Sequence, residues 1–143
     1  MRLRQLGAAC VLASLFACHP AHKATTGGEA CPPMVKDQAL FQEAGNTVAI
    51  SNPSINNHCL YLEATTTACS KAHVQLVWDG KSLRSSPPQV NLRLHIPPGD
   101  TCARQQQHFA FDLRPLREIN PGRIIKLRLN GLDERLAYTA SNP

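Results

Sequence analysis

From Thr47 onward the apolar residues of this chain fall on alternate positions, and no other feature narrows its fold as much. Successive side chains of an extended strand point to opposite faces, so a period of two buries one face and leaves the other to water. Val48 and Ile50 begin the pattern, and Leu60 and Leu62 continue it against Cys59 and Tyr61. Val74, Leu76 and Trp78 follow, then Val90, Leu92, Leu94 and Ile96 against Asn91, Arg93 and His95. Phe109, Phe111 and Leu113 alternate with Ala110 and Asp112; Ile125, Leu127 and Leu129 alternate with Ile124, Lys126 and Arg128; a last run covers 135–139. Turn chemistry divides the runs at Asn52-Pro53-Ser54, Asn56-Asn57, Asp79-Gly80, Pro97-Pro98-Gly99-Asp100 and Asn130-Gly131. About seven short strands so spaced predict an all-β fold: an antiparallel β-sandwich, immunoglobulin-like in the broad sense, whose apolar faces meet in one core. Trp78, Phe109, Phe111 and Tyr138 are expected to fill that core.

Ahead of the strands, 34–44 carries Val35, Leu40 and Phe41 among Lys36, Asp37, Gln38, Gln42 and Glu43. This predicts a short helix stopped by Gly45-Asn46, with an irregular first strand as the alternative. The stretch 19–33 is small, polar and broken by Pro20, Gly27, Gly28, Pro32 and Pro33, which is the composition of a flexible tether.

The first residues read as an address. Arg2 and Arg4 form a positive start, 11–16 a short apolar run, and Leu15-Phe16-Ala17-Cys18 ends it. The run falls well short of the roughly 20 apolar residues that span a bilayer. With a leucine three places before a cysteine and a small residue just before it, the segment resembles a bacterial lipoprotein signal peptide. The resemblance covers 1–18 only. It implies cleavage before Cys18, a diacylglycerol on its thiol and an acyl chain such as palmitate on its new amino group, enough for stable membrane anchoring. Cys10 fits less well, with Gly7 three places before it, and an ordinary secretory signal is the plainer alternative. His19 stands where members kept at the inner membrane often have Asp, so the resemblance points to the outer membrane, facing the periplasm or the surface. The expected organisation is thus a signal peptide at 1–17, a tether at 18–33 beginning with lipidated Cys18, and a β-sandwich domain at 34–143.

Export sets the reading of the other cysteines. Cys31, Cys59, Cys69 and Cys102 predict two disulfides, with three connectivities open. Pairing Cys59 with Cys69 to staple a hairpin, and Cys31 with Cys102 to tie the arm to a later loop, is preferred. Cys69 with Cys102 is the alternative, and on the order of 3–4 kcal/mol of chain entropy does not choose between them. No Cys-x-x-Cys pair is present, which leaves no zinc spacing.

The leader removes two of the 15 basic residues and none of the 10 acidic ones, leaving 13 against 10 and a net charge of +3. Arg93, Arg104, Arg114, Arg117, Arg123, Lys126, Arg128 and Arg135 are diluted by acidic neighbours, so no nucleic-acid partner is expected. No Gly-x-Ser-x-Gly, phosphate-cradling loop or His-Glu-x-x-His occurs, and neither a catalytic residue nor a cofactor is assigned. His58, His73, His95 and His108 sit at or inside proposed strands, and exposed or half-buried strand histidines are the plainer expectation than a metal cluster. The same applies to His19 and His22 in the tether. Two loops suit partner binding. One is 81–89, with Ser85-Ser86-Pro87-Pro88. The other is 114–122, where Leu116 and Ile119 would form an apolar knob rimmed by Arg114 and Arg117. The leading expectation is a non-enzymatic protein-binding module, anchored to the membrane by its lipid and accessory to an envelope or secretion assembly. The alternatives are an anchored inhibitor or immunity protein against a cell-wall lytic enzyme, and a small hydrolase or metal-handling protein whose residues meet only in the fold.

Overall fold

Strands from both halves of the chain pair into two sheets in the computed structural model, which describes residues 31–44, 48–99 and 101–140. The leader, Cys10, Cys18, His19 and His22 lie outside the described residues. In chain order the elements are β1 (Val35–Lys36), α1 (Gln38–Glu43), β2 (Ala49–Asn56), β3 (Cys59–Thr66), β4 (Gln75–Trp78), β5 (Ser82–Leu83), β6 (Gln89–His95), β7 (Gln105–Asp112), β8 (Ile124–Leu129) and β9 (Arg135–Thr139), with 3-10 helices at Lys71–His73 and Arg114–Glu118. The seven longer strands are those the alternation predicts, and β1 and β5 add two residues each.

The smaller sheet is ordered β2-β3-β7, antiparallel throughout. Asn57 and His58 join β2 to β3 with φ of 46° and 69°, a two-residue loop in the left-handed region that matches the twist of a hairpin. The expected turn at Asn52-Pro53-Ser54 is instead a bulge inside β2. Pairing steps from Ser51↔Glu63 to Ser54↔Tyr61, so three residues of β2 face two of β3. The extra residue resets the phase, which lets Ile50 and Ile55, five apart, both pack on the core.

The larger sheet is ordered β1-β4-β6-β8-β9, with β5 beside β6. Its pairs are antiparallel except β1 with β4 and β6 with β8. The second exception follows from the path: the chain leaves β6, crosses to the other sheet as β7, and returns as β8 running the same way as β6. Leu60, Leu62, Phe109 and Phe111 of the small sheet meet Leu76, Leu92, Ile125, Leu127 and Leu129 of the large one in a single core. Phe109 and Phe111 stack with centroids 6.0 Å apart, and Trp78 and Tyr138 join the core as expected.

The helix expected in 34–44 forms as α1, capped by the Asp37 carboxylate accepting from the Leu40 N–H at 3.0 Å. It lies on the outer face of β4 and β6, where Arg93 donates to the Phe41 carbonyl at 3.0 Å and sits 4.3 Å over its ring. Val77 and His95 are therefore buried, although their strand phase points away from the sandwich. His95, expected to face solvent, lies 3.8 Å from the Glu43 carboxylate instead.

The disulfides are Cys31–Cys59 and Cys69–Cys102, so the preferred pairing of Cys59 with Cys69 and of Cys31 with Cys102 is overturned. Cys59 opens β3 and Cys69 follows its far end, so extended backbone rising about 3.3 Å per residue holds them much too far apart to bond. The Cys102 N–H donates to the Thr67 carbonyl at 2.7 Å, which brings Cys102 to Cys69. At the other end the stretch 31–33, expected to belong to the tether, is docked. Cys31 is buried, and the Asp112 N–H donates to the Pro32 carbonyl at 2.8 Å.

Candidate functional site

Where the β2–β3 turn, the end of β7, the 3-10 helix at Arg114–Glu118 and β9 converge, five polar side chains meet. Arg117 donates from Nη2 to His58 Nε2 at 3.0 Å, and His58 Nδ1 lies 3.0 Å from the Tyr138 hydroxyl. A guanidinium only donates, so Nε2 accepts and Nδ1 is the nitrogen left to donate to Tyr138. These two contacts fix the ring of His58, whose backbone has the positive φ of the β2–β3 turn. The buried Asp112 carboxylate accepts from the Arg114 N–H at 2.9 Å and from its Nε and Nη2 at 2.7 and 2.6 Å. Burial opposes ionisation of Asp112. The hydrogen bonds and charge of Arg114 outweigh it and hold the carboxyl below its ordinary value. Burial pushes the Tyr138 phenol above its ordinary value, partly offset by Arg117. With both ring nitrogens of His58 held by protein groups, this knot braces the end of the sandwich and presents no free base.

The expected apolar knob does not exist. Leu116 is fully buried in the core, and Ile119 is half-buried and packed against it. The local reason is the 3-10 helix, with Pro115 in its first turn and Leu116 turned inward below it. Arg117 is half-buried on His58, and Arg114 alone of the four is exposed, its guanidinium engaged by Asp112.

The histidines are dispersed. His58 lies in the knot, His95 lies under α1, and exposed His108 sits on the outer face of β7, 3.4 Å from Glu63. His73 closes the Lys71–His73 helix. Among the described residues no three His, Cys, Asp or Glu side chains gather as metal ligands. In the 81–89 loop, Leu83 is exposed and the Ser86-Pro87 peptide is cis.

A different feature is the stronger candidate. Where β7 ends the small sheet and β4 with β1 ends the large one, an open groove of about 900 Å³ lies between the two edges. The 31–33 arm and Val35 close one end, Lys71 and Ala72 flank the other, and Phe109 and Phe111 reach it from the core. Tyr61, on the outer face of β3 and 42 % exposed, stands at its mouth. One signal was present in the sequence, an aromatic residue in the solvent phase of a strand. The groove itself needs the arm and the 3-10 helix, which no local pattern places there.

No protein-family model and no curated protein matches the chain. Among solved structures, a toxin-related protein of Parabacteroides distasonis is similar over 77 % of this chain, at 17 % identity and a TM-score of 0.47. The chain spans 61 % of that protein's length.

Proposed function

We propose that the chain is a lipoprotein acylated at Cys18 and held on the outer membrane, whose β-sandwich binds another envelope protein and catalyses no reaction. The groove between the sheet edges carries the binding part of this reading. It is walled mainly by apolar side chains, opens to solvent, and is framed by disulfide-closed sheets, so little ordering is lost when a partner enters. Tyr61 at its mouth is the kind of amphipathic anchor that dominates binding energies at protein interfaces. The Leu15-Phe16-Ala17-Cys18 sequence supports the anchor.

Both parts are testable in producing cells. Tritiated palmitate is expected to label the wild type and not Cys18→Ser, and the variant should leave the membrane fraction. A Cys18→Ser chain that stays membrane-bound overturns the anchor. For binding, benzoylphenylalanine placed at Tyr61 should give one discrete photo-adduct with an envelope protein. The same group at exposed Arg128 on β8 should give none. Absence of an adduct at both positions overturns the protein-binding role.

A further inference from the structure

We infer that the groove is a strand-addition site: an extended segment of a partner, bearing acidic side chains between apolar ones, pairs its backbone with the free edge of β7. This rests on the protein-binding reading above.

β7 is bonded along its whole length to β3 on one side. On the other, among the described residues, backbone pairing is confined to Asp112. Its N–H donates to the Pro32 carbonyl at 2.8 Å, and its carbonyl accepts from the Met34 N–H at 3.3 Å, a parallel bridge to Pro33. In an antiparallel pair, alternate residues direct both backbone groups away from the partner strand. Asp112 does so, and by the same phase Ala110, His108 and Gln106 present theirs outward with no neighbour among the described residues. Beside them β4 is covered by β1 only at Val77 and Trp78, leaving Gln75 and Leu76 at the sheet edge. Two incompletely covered strand edges with an apolar trough between them fit the shape of an extended backbone. The chain's own arm already occupies the first position of this edge before turning away to β1.

The side chains select the occupant. Phe109, Phe111 and Val74 line the groove from the core side and offer apolar wall to one face of an added strand, whereas His108 lies on the opposite face of β7. Lys71 and His108 stand on the groove with exposed side chains. The carboxylate on this face, Glu63, is taken up by hydrogen bonding from Gln106 and by its contact with His108. Lys71 has no acidic partner among the described residues, and the chain from Cys18 onward is net positive. The complementary segment is therefore acidic. Backbone pairing supplies affinity in this mode and the alternate side chains supply selectivity.

The test uses the full acylated chain in detergent micelles, with an eight-residue peptide alternating valine and glutamate as probe. Valine–lysine and alternately N-methylated valine–glutamate peptides are the controls. The valine–glutamate peptide should slow amide exchange at Gln106, His108 and Ala110 at least tenfold, and neither control should. Ala110→Pro removes an N–H that β3 does not use, a change an edge strand tolerates. It should weaken peptide binding at least tenfold with an unchanged melting temperature, as should Lys71→Glu. Equal binding of all three peptides, or of both variants and wild type, overturns the proposal. Protection of the same amides by self-association, or by residues 19–30 in the chain alone, assigns the edge to a second copy or to the chain's own tether and also overturns it. If the Tyr61 photo-adduct forms undiminished in Ala110→Pro and Lys71→Glu, strand addition fails and the protein-binding role stands. If no adduct forms at all, the role itself fails.

Discussion

Asp112 links the N-terminal arm, the end of β7 and the 3-10 helix that follows. Its backbone bridges the 31–34 arm and its carboxylate holds Arg114 at the start of the 3-10 helix. In the sequence it stands in the polar phase of 108–113, where solvent exposure is the natural expectation. Its burial comes from an arm some eighty residues away, which no local pattern reports. Leu116 differs in cause: among Arg114, Arg117 and Glu118 it reads as exposed, and the local 3-10 turn points it inward. A carboxyl whose pKa is lowered on folding stabilises the native state above its unfolded value, and that stability is lost as pH falls through the folded value. The wild type is expected to lose melting temperature on acidification from about pH 5 downward, past the ordinary carboxyl value of 3.8. Asp112→Asn should be less stable at neutral pH by about 1–3 kcal/mol, because it leaves the arginine contacts poorly satisfied, and its stability should depend less on acid. Thermal melts across that range check both. An unchanged acid slope would remove Asp112 from the account.

At the level of strands, alternation located all seven longer runs and their inward residues. It did so because each sheet has one face on a common core, the condition under which period two is informative. The pattern failed where other elements intervene. The β2 bulge reads as a turn because Asn52 and Pro53 are turn residues, and only the pairing with β3 shows the chain running straight on. His95 reads as exposed because α1 covers it from outside the sandwich. The β8–β9 loop shows how closely such contacts are fitted. Gly131 has φ of 93°, and a Cβ built there would lie 1.8 Å from the Val48 carbonyl oxygen. The Gly131 carbonyl also accepts from the Ile50 N–H at 3.3 Å, joining this loop of one sheet to the edge of the other. Gly131→Ala is expected to cost about 2 kcal/mol or more, from left-handed strain and a displaced backbone together. Urea titration measures it, and a loss below about 0.5 kcal/mol, the range of ordinary surface substitutions, would contradict the close approach.

For the molecule as a whole, the cysteine count, read with the expectation of export, foretold two disulfides, while their connectivity depended on which ends of β3 the partners reach. Cys31–Cys59 spans 28 residues of sequence and Cys69–Cys102 spans 33. Chain-entropy scaling gives about 3–4 kcal/mol for each loop. Replacing Cys69 and Cys102 together by serine should lower unfolding free energy by that amount, with the transition midpoint in guanidinium as readout. An unchanged midpoint would mean that the unfolded chain is already restrained there. The two rims of the small sheet differ in kind. Along β2 the Ile50 N–H is taken by Gly131, and the bulge with Pro53 breaks the regular row of donors that a neighbour would need. Along β7 the row from Gln106 to Ala110 meets no such obstruction among the described residues. Among the described residues the small sheet is thus one-sided, obstructed along β2 and open along β7. Extension of the small sheet from both sides would need a second free rim, and among the described residues the obstructed β2 edge does not supply one.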